Sequence, residues 1–217
     1  MFVGHYGASL AAKGIDRRIP LWVLFVAAQF IDVLWSVFVF SGVEHVRIVE
    51  DFTAVNHLDL YYMPWTHGLT SAFGWSVVAA GIYMWLRNWR GWGGSAILVG
   101  AAVLSHWFVD LPMHVPDLPL YGNEHKQGFG LWNYRELAFV LEAVFLGVGL
   151  WVYMRATRAV TPAGRWAMPA YCAVMYAVFL GTSLGPVPPG PSQMAAMALA
   201  SYLGLAAVAF WLERKRA

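Results

Sequence analysis

Six stretches of about twenty mostly apolar residues run through this chain, at roughly 20–41, 67–86, 93–114, 134–154, 166–185 and 193–212, with polar segments between them. Each is long enough to cross ~30 Å of hydrocarbon as a helix. Hydrocarbon offers no water to unpaired backbone groups, so runs of this length are expected to be helical and the predicted fold class is all-α, a polytopic membrane bundle. Ahead of them, residues 2–12 are apolar but too short to cross. The basic turn Lys13-Gly14-Ile15-Asp16-Arg17-Arg18 and Pro20, suited to a helix start, predict a short re-entrant N-terminal helix paired with the first run. No basic region precedes this stretch, so it does not read as a cleavable signal peptide. Residues 1–217 read as one membrane domain, with 1–155 forming a polar-centred bundle and 156–217 adding two packing helices.

Composition supports that reading. Hydrophobic residues make up 59% of the chain, charged residues 12%, and mean hydropathy is +0.55, which excludes an ordinary soluble domain. The net charge of +2 and the short basic clusters speak against a nucleic-acid partner. The single Cys172 excludes an internal disulfide. Lys13, Arg17, Arg18, Arg87, Arg90, Arg155, Arg158, Arg165, Arg214, Lys215 and Arg216 lie at one set of run ends, against Arg47, Lys126 and Arg135 at the other. Positive charge collects on the cytoplasmic side, so the 13–18 turn and the C-terminus are expected there. Glu44, Glu50, Asp51, Asp59, Asp117, Glu124 and Glu136 then fall outside, on or beside the loops 42–66 and 115–133. Tyr61, Tyr62, Trp65, Trp85, Trp89 and Trp92 read as interfacial anchors. Gly181, Ser183, Ala195, Ala198 and Gly204 read as packing positions of the last two helices, with a homo-oligomer contact as the sharper alternative.

Against this background Asp32, His106, Asp110 and Glu142 stand out, because they lie inside the apolar runs. A charge at the bilayer centre costs at least ~2.5 kcal/mol, so such residues face a partner, a metal or water inside a bundle. Counting ~1.5 Å per residue from the nearest basic residue puts Asp32, His106 and Glu142 about 20 Å above the cytoplasmic face and His5 about 12 Å above it. His67 and Asp110 come out nearer the outer surface, within reach if the helices tilt. His106 and Asp110 form an H-x-x-x-D pair on one helical face, able to bind one ion or two adjacent ions. His114 is four residues further on, but Pro112 interrupts that face and makes it a weaker ligand candidate. Imidazole with carboxylate suits Zn²⁺ or another divalent transition metal, and the lack of clustered Cys argues against a thiolate site. Blander readings stand beside this one. A lone buried His5 is as readily a hydrogen-bonded core residue, whereas Asp32 has no Lys or Arg at its depth to pair with. His45, His57 and His125 read as solvent-facing, and Glu136 as favouring a helix dipole.

Taken in order, Gly4-His5, Asp32, Trp65-Thr66-His67-Gly68 and Ser105-His106-Trp107-Phe108-Val109-Asp110 resemble inner-membrane-associated metal-dependent hydrolases. Those families are similar to the zinc-dependent phospholipase C and P1 nuclease superfamily, and the resemblance covers about residues 3–145. It implies that His5, Asp32, His67, His106 and Asp110 are metal ligands, with Asp110 a possible bridge, and that the chain sits in a bacterial inner membrane. The late H-x-x-x-E pair of the soluble superfamily has no counterpart, since Ala138 precedes Glu142 and Trp132 precedes Glu136 at that spacing.

These residues lead to a functional expectation: metal-assisted hydrolysis of an amphiphilic, phospholipid-like phosphoester approaching from the bilayer, with Glu142 as proton acceptor and Asp32 as runner-up. The segment 116–133 is expected to fold over the outer mouth. A small metal-ion or proton transporter using the same His, Asp and Glu residues is the alternative, although no internal repeat supports one.

Overall fold

The computed structural model describes residues 1–89 and 93–216; Arg90 and Trp92, assigned above to a basic end and an interfacial anchor, lie outside them. Eight helices carry the described residues, in the order α1 (Gly4–Ile15), α2 (Leu21–Ala28), α3 (Phe30–Phe40), α4 (Leu69–Leu86), α5 (Gly93–Asp110), α6 (Arg135–Ala156), α7 (Ala167–Ser183) and α8 (Pro191–Glu213). The all-α class holds. One exception is a two-stranded antiparallel ribbon, β1 (His45–Ile48) and β2 (Leu58–Tyr62), in the segment expected to be only a loop.

By length and apolarity alone, four or five of the expected spans stand out among the described residues. Four helices, α4, α5, α6 and α8, are long and apolar enough to cross a membrane, and α2 with α3 makes a fifth if the pair is one span bent by 54°. The run at 166–185 yields a 17-residue helix, α7. The bend sits at the buried Gln29, whose side chain donates to Phe2 O (3.1 Å).

Large apolar side chains point outwards all round the bundle. Phe73, Val77, Trp85, Val140, Val144, Trp151 and Val178 are exposed, while His5, Asp32, His106, Asp110 and Glu142 are buried. A soluble fold would reverse this distribution; it is consistent with a membrane protein.

Two features set the positions of the site helices. α1 lies directly against α6 because Gly7 and Gly149 face each other. A Cβ on Gly149 would stand 2.1 Å from Gly7 O, and one on Gly7 would stand 2.2 Å from Phe145 O. Small residues permit this close backbone approach in bundles that have no hydrophobic drive between helices. The α1–α2 turn is then pinned from below. Lys13, itself buried, donates to the carbonyls of Arg17 (2.6 Å) and Ile19 (2.7 Å) and pairs with Glu213 of α8, whose Oε2 also accepts from the Leu21 amide (2.9 Å). Beside it the Arg18 guanidinium and amide and the Ser95 hydroxyl bond Asp16, and chiefly the guanidinium holds that carboxyl well below the usual carboxylate range.

At the opposite end the two long loops are tied together. Lys126 donates to Tyr61 O (2.7 Å), Arg135 to Ala54 O (2.8 Å), and the amides of Leu69 and Thr70 to Pro119 O and Leu120 O. Residues 116–133 therefore lie on the start of α4 and beside the ribbon.

Candidate metal centre

Seven residues singled out in the sequence meet in one place, brought there by six segments. His5 comes from the first turn of α1, Asp32 from α3, His67 from the turn before α4, His106 and Asp110 from α5, His114 from the turn after α5, and Glu142 from α6. His5 is as deep as the rest, its ring stacked on His106 at 3.9 Å between centroids. The residue count alone had set it lower than His106. Pro112 does end α5, yet the His114 amide still bonds Asp110 O (3.0 Å) and the turn carries the ring back toward Asp110.

The contacts converge on two carboxylates. Asp110 Oδ1 lies 3.1 Å from His5 Nε2, and its Oδ2 lies 3.1 Å from His106 Nε2 and 3.6 Å from His114 Nε2. Asp32 Oδ1 lies 3.3 Å from His67 Nε2 and 3.5 Å from His106 Nε2. The Met1 nitrogen also rests against Asp110. Ligand atoms around one tetrahedral ion at ~2.05 Å are separated by about 3.3 Å, which is the scale of these distances. Two overlapping sets, His5–Asp32–His106 and His67–His106–Asp110, each bring their ligand atoms within 4.8 Å of one another.

Ring orientation separates this arrangement from a simple hydrogen-bonded cluster. His106 Nδ1 lies 2.8 Å from Ala28 O. Ala28 ends α2, so its carbonyl is one that a helix C-terminus leaves without an intrahelical donor. A carbonyl only accepts, so Nδ1 carries a proton, and in the neutral ring Nε2 then presents its lone pair to Asp32 and Asp110. Fully buried, Nε2 is in hydrogen-bonding geometry with neither, and both ring nitrogens of His5 also lack a hydrogen-bond partner. His114 repeats the pattern, its Nδ1 held by Asp117 Oδ1 at 2.7 Å. Carboxylate or carbonyl acceptors behind the ring are the usual outer support of a metal-binding histidine. The residue set thus fits a divalent cation.

Glu142 sits differently. Its Oε1 accepts from the Phe2 amide (2.7 Å) and its Oε2 from the Gly4 amide (2.6 Å), so both oxygens hold the start of α1, and with it His5.

Four residues escaped the sequence reading. Glu44 and Asp117 lie in loops assigned to solvent yet are buried. Thr66 joins Glu44 Oε2 (2.6 Å) to His67 Nδ1 (2.9 Å). Burial raises the Glu44 carboxyl from its ordinary range, opposed by hydrogen bonds from Thr66 and Trp65. Trp35 is buried with its indole N–H unpartnered and lines the adjoining cavity. The signals were Asp117 at three residues from His114 and Thr66 beside His67; Glu44 had none.

A cavity of about 230 Å³ opens from the centre. Asp32, His67, Asp110, His114 and Glu142 supply its polar wall, while Trp35, Leu58, Leu60, Trp132, Phe179 and Met194 line the remainder. Tyr202 of α8 lines it as well, beside Phe179 of α7, so the last two helices reach the cavity as well as packing on the bundle. His57, expected to face solvent, also lines this cavity and accepts from the Asp51 amide (2.9 Å). Comparison with protein-family models, curated proteins and solved structures found no match to this chain.

Proposed function

We propose that this chain is an integral membrane, metal-dependent hydrolase acting on an amphiphilic phosphoester. One observation carries the reading: the buried Nε2 of His106, its tautomer set by Ala28 O, faces two carboxylates with a hydrogen bond to neither. Two acceptors turned on a third are stable around a cation. His5, Asp32, His67, His106, Asp110 and His114 would hold it, Zn²⁺ being the simplest fit to nitrogen and oxygen donors. Such an ion supplies Lewis acidity toward a phosphoryl oxygen and acidifies water to a pKa of ~7.

The chain's own residues supply the rest. The Trp35 indole N–H offers a donor to a head-group oxygen in the cavity wall. Asp32, the least enclosed carboxylate of the centre with a side chain 13% exposed, takes the proton. Glu142, with both oxygens occupied by amides, keeps His5 in place. The apolar walls suit the proximal part of an aliphatic chain, and the six-span topology with a re-entrant α1, inside a bacterial inner membrane, would let such a substrate enter laterally.

The test is elemental analysis of detergent-purified protein, coupled to release of a water-soluble head group from liposomes. At least one tightly bound transition metal per chain and product release that chelation abolishes are expected. Metal-free protein with full stability rejects the reading. Tags at the C-terminus and in the 42–66 loop are expected on opposite sides.

A transporter reading draws on one feature, the row of polar groups Asp117–His114–Asp110–His106–Asp32–His67–Thr66–Glu44, in which each lies within 3.6 Å of the next. Both its ends lie in loops at the same end of the bundle, which suits a closed site better than a path across. Proton or metal flux into liposomes without product would favour the transporter.

A further inference from the structure

Glu44 is a charged residue with 1% exposure, and nothing in the hydrolytic reading uses it. It gets its place from the end of α3. Gly42, at φ 74°, reverses the chain, and the amides of Val43 and Glu44 both bond Phe38 O. A left-handed glycine closing a helix this way is a common C-terminal cap. The reversal sets the Glu44 carboxylate against the turn that carries His67. Its Oε1 accepts two amides, from Trp65 (2.7 Å) and Thr66 (3.0 Å), and its Oε2 accepts the Thr66 hydroxyl (2.6 Å).

The proton count is then decisive. A hydroxyl has one proton, and Thr66 gives it to Glu44. Toward His67 Nδ1, 2.9 Å away, the Thr66 oxygen can only accept. Nδ1 therefore holds a ring proton, and in the neutral ring Nε2 keeps its lone pair 3.3 Å from Asp32 Oδ1. We propose that Glu44 and Thr66 are positioning residues that fix the tautomer of His67 and so make its Nε2 a cation ligand; this rests on the metal-centre reading above. His106 and His114 are locked by groups that can only accept. His67 is locked through a hydroxyl, which can turn round.

That reversibility provides the test. In Glu44→Gln two backbone amides still require an acceptor at Oε1, so the new NH₂ faces Thr66 and donates to it. The Thr66 proton then swings to His67 Nδ1, the ring proton moves to Nε2, and the donor position closes with almost no change of shape. Zn²⁺ titration of the full chain in detergent against a competing chelator is expected to show affinity weaker by about 10–100-fold in Glu44→Gln and Thr66→Val, with Thr66→Ser close to wild type. NMR of histidine-labelled, metal-free protein supplies a readout independent of the metal. The His67 signal, identified by its loss in His67→Asn, is expected as Nδ1–H in the wild type and Nε2–H in Glu44→Gln.

An unchanged tautomer in Glu44→Gln, or a wild type already protonated at Nε2, overturns the relay. A wild type that binds no Zn²⁺ defeats the metal reading instead, and the tautomer swap still judges the relay. Should Glu44→Gln fail to fold, the Thr66→Ser and Thr66→Val pair decides by the same signal: a retained Nδ1–H in Ser with a lost preference in Val supports the relay, and identical signals reject it.

Discussion

At the end of the bundle that carries Lys13, each buried charge meets an opposite one directly: Lys13 meets Glu213, and Asp16 meets Arg18. At the candidate metal centre Asp32 and Asp110 meet four imidazoles and the Met1 nitrogen, with no lysine or arginine among their contacts within the described residues. The chain is short of neither residue type, and it has placed them elsewhere. The difference teaches that the first end is closed by its own side chains, whereas the second has acceptors in surplus. A buried pair contributes structure, while an excess of buried acceptors calls for a cation from outside.

The comparison breaks most sharply at His106. His106→Ala removes the nitrogen shared by both ligand sets, and metal content by elemental analysis is expected to fall by at least ~100-fold in affinity terms, with product release lost. Retained metal would mean that the two ends do not differ as described. At the other end Lys13→Met leaves Glu213 without its ammonium and is expected to cost about 3 kcal/mol in detergent unfolding, with metal content unchanged once folded. The double variant Lys13→Met/Glu213→Met should regain most of that loss, as replaced buried pairs often do. Gly149→Ala probes the link between the ends. Its Cβ would strike Gly7 O and push α1 off α6, costing ~1–3 kcal/mol and weakening metal binding through His5. A variant with unchanged metal affinity would show that His5 is dispensable.

The smallest effect is expected from Asp16. Its folded-state pKa is depressed by Arg18, so its contribution is present above the unfolded value of ~3.9 and is lost as pH falls below it. Asp16→Asn should therefore flatten the acid side of the stability profile below about pH 4, without altering metal content near neutrality.

How far this molecule was legible from its residues follows from how each part signals. Apolar runs announce helices, and Asp32, His106 and Asp110 announce themselves because charge is conspicuous in lipid. Periodicity is silent about helix bends, so the break at Gln29 and the shortness of α7 did not show. Loops were harder for another reason. Glu44 and Asp117 belong to polar segments that look the same whether they face water or fold inward, and only the C-terminal cap of α3 and the turn after Pro112 turn them in. Glu142 read as a free base because its partners are backbone amides, which carry no residue identity.

The bend at Gln29 has a consequence for timing. A straight rod through residues 20–41 would keep its carbonyls for itself and leave the His106 ring free to swing or swap its proton. Because α2 stops at Ala28, the imidazole is fastened before anything arrives to be bound, and capture of an ion would cost little rearrangement. Arrival and departure would then be governed by the route into the chamber, and a mutation that straightens the elbow would slow loading even with every liganding residue intact.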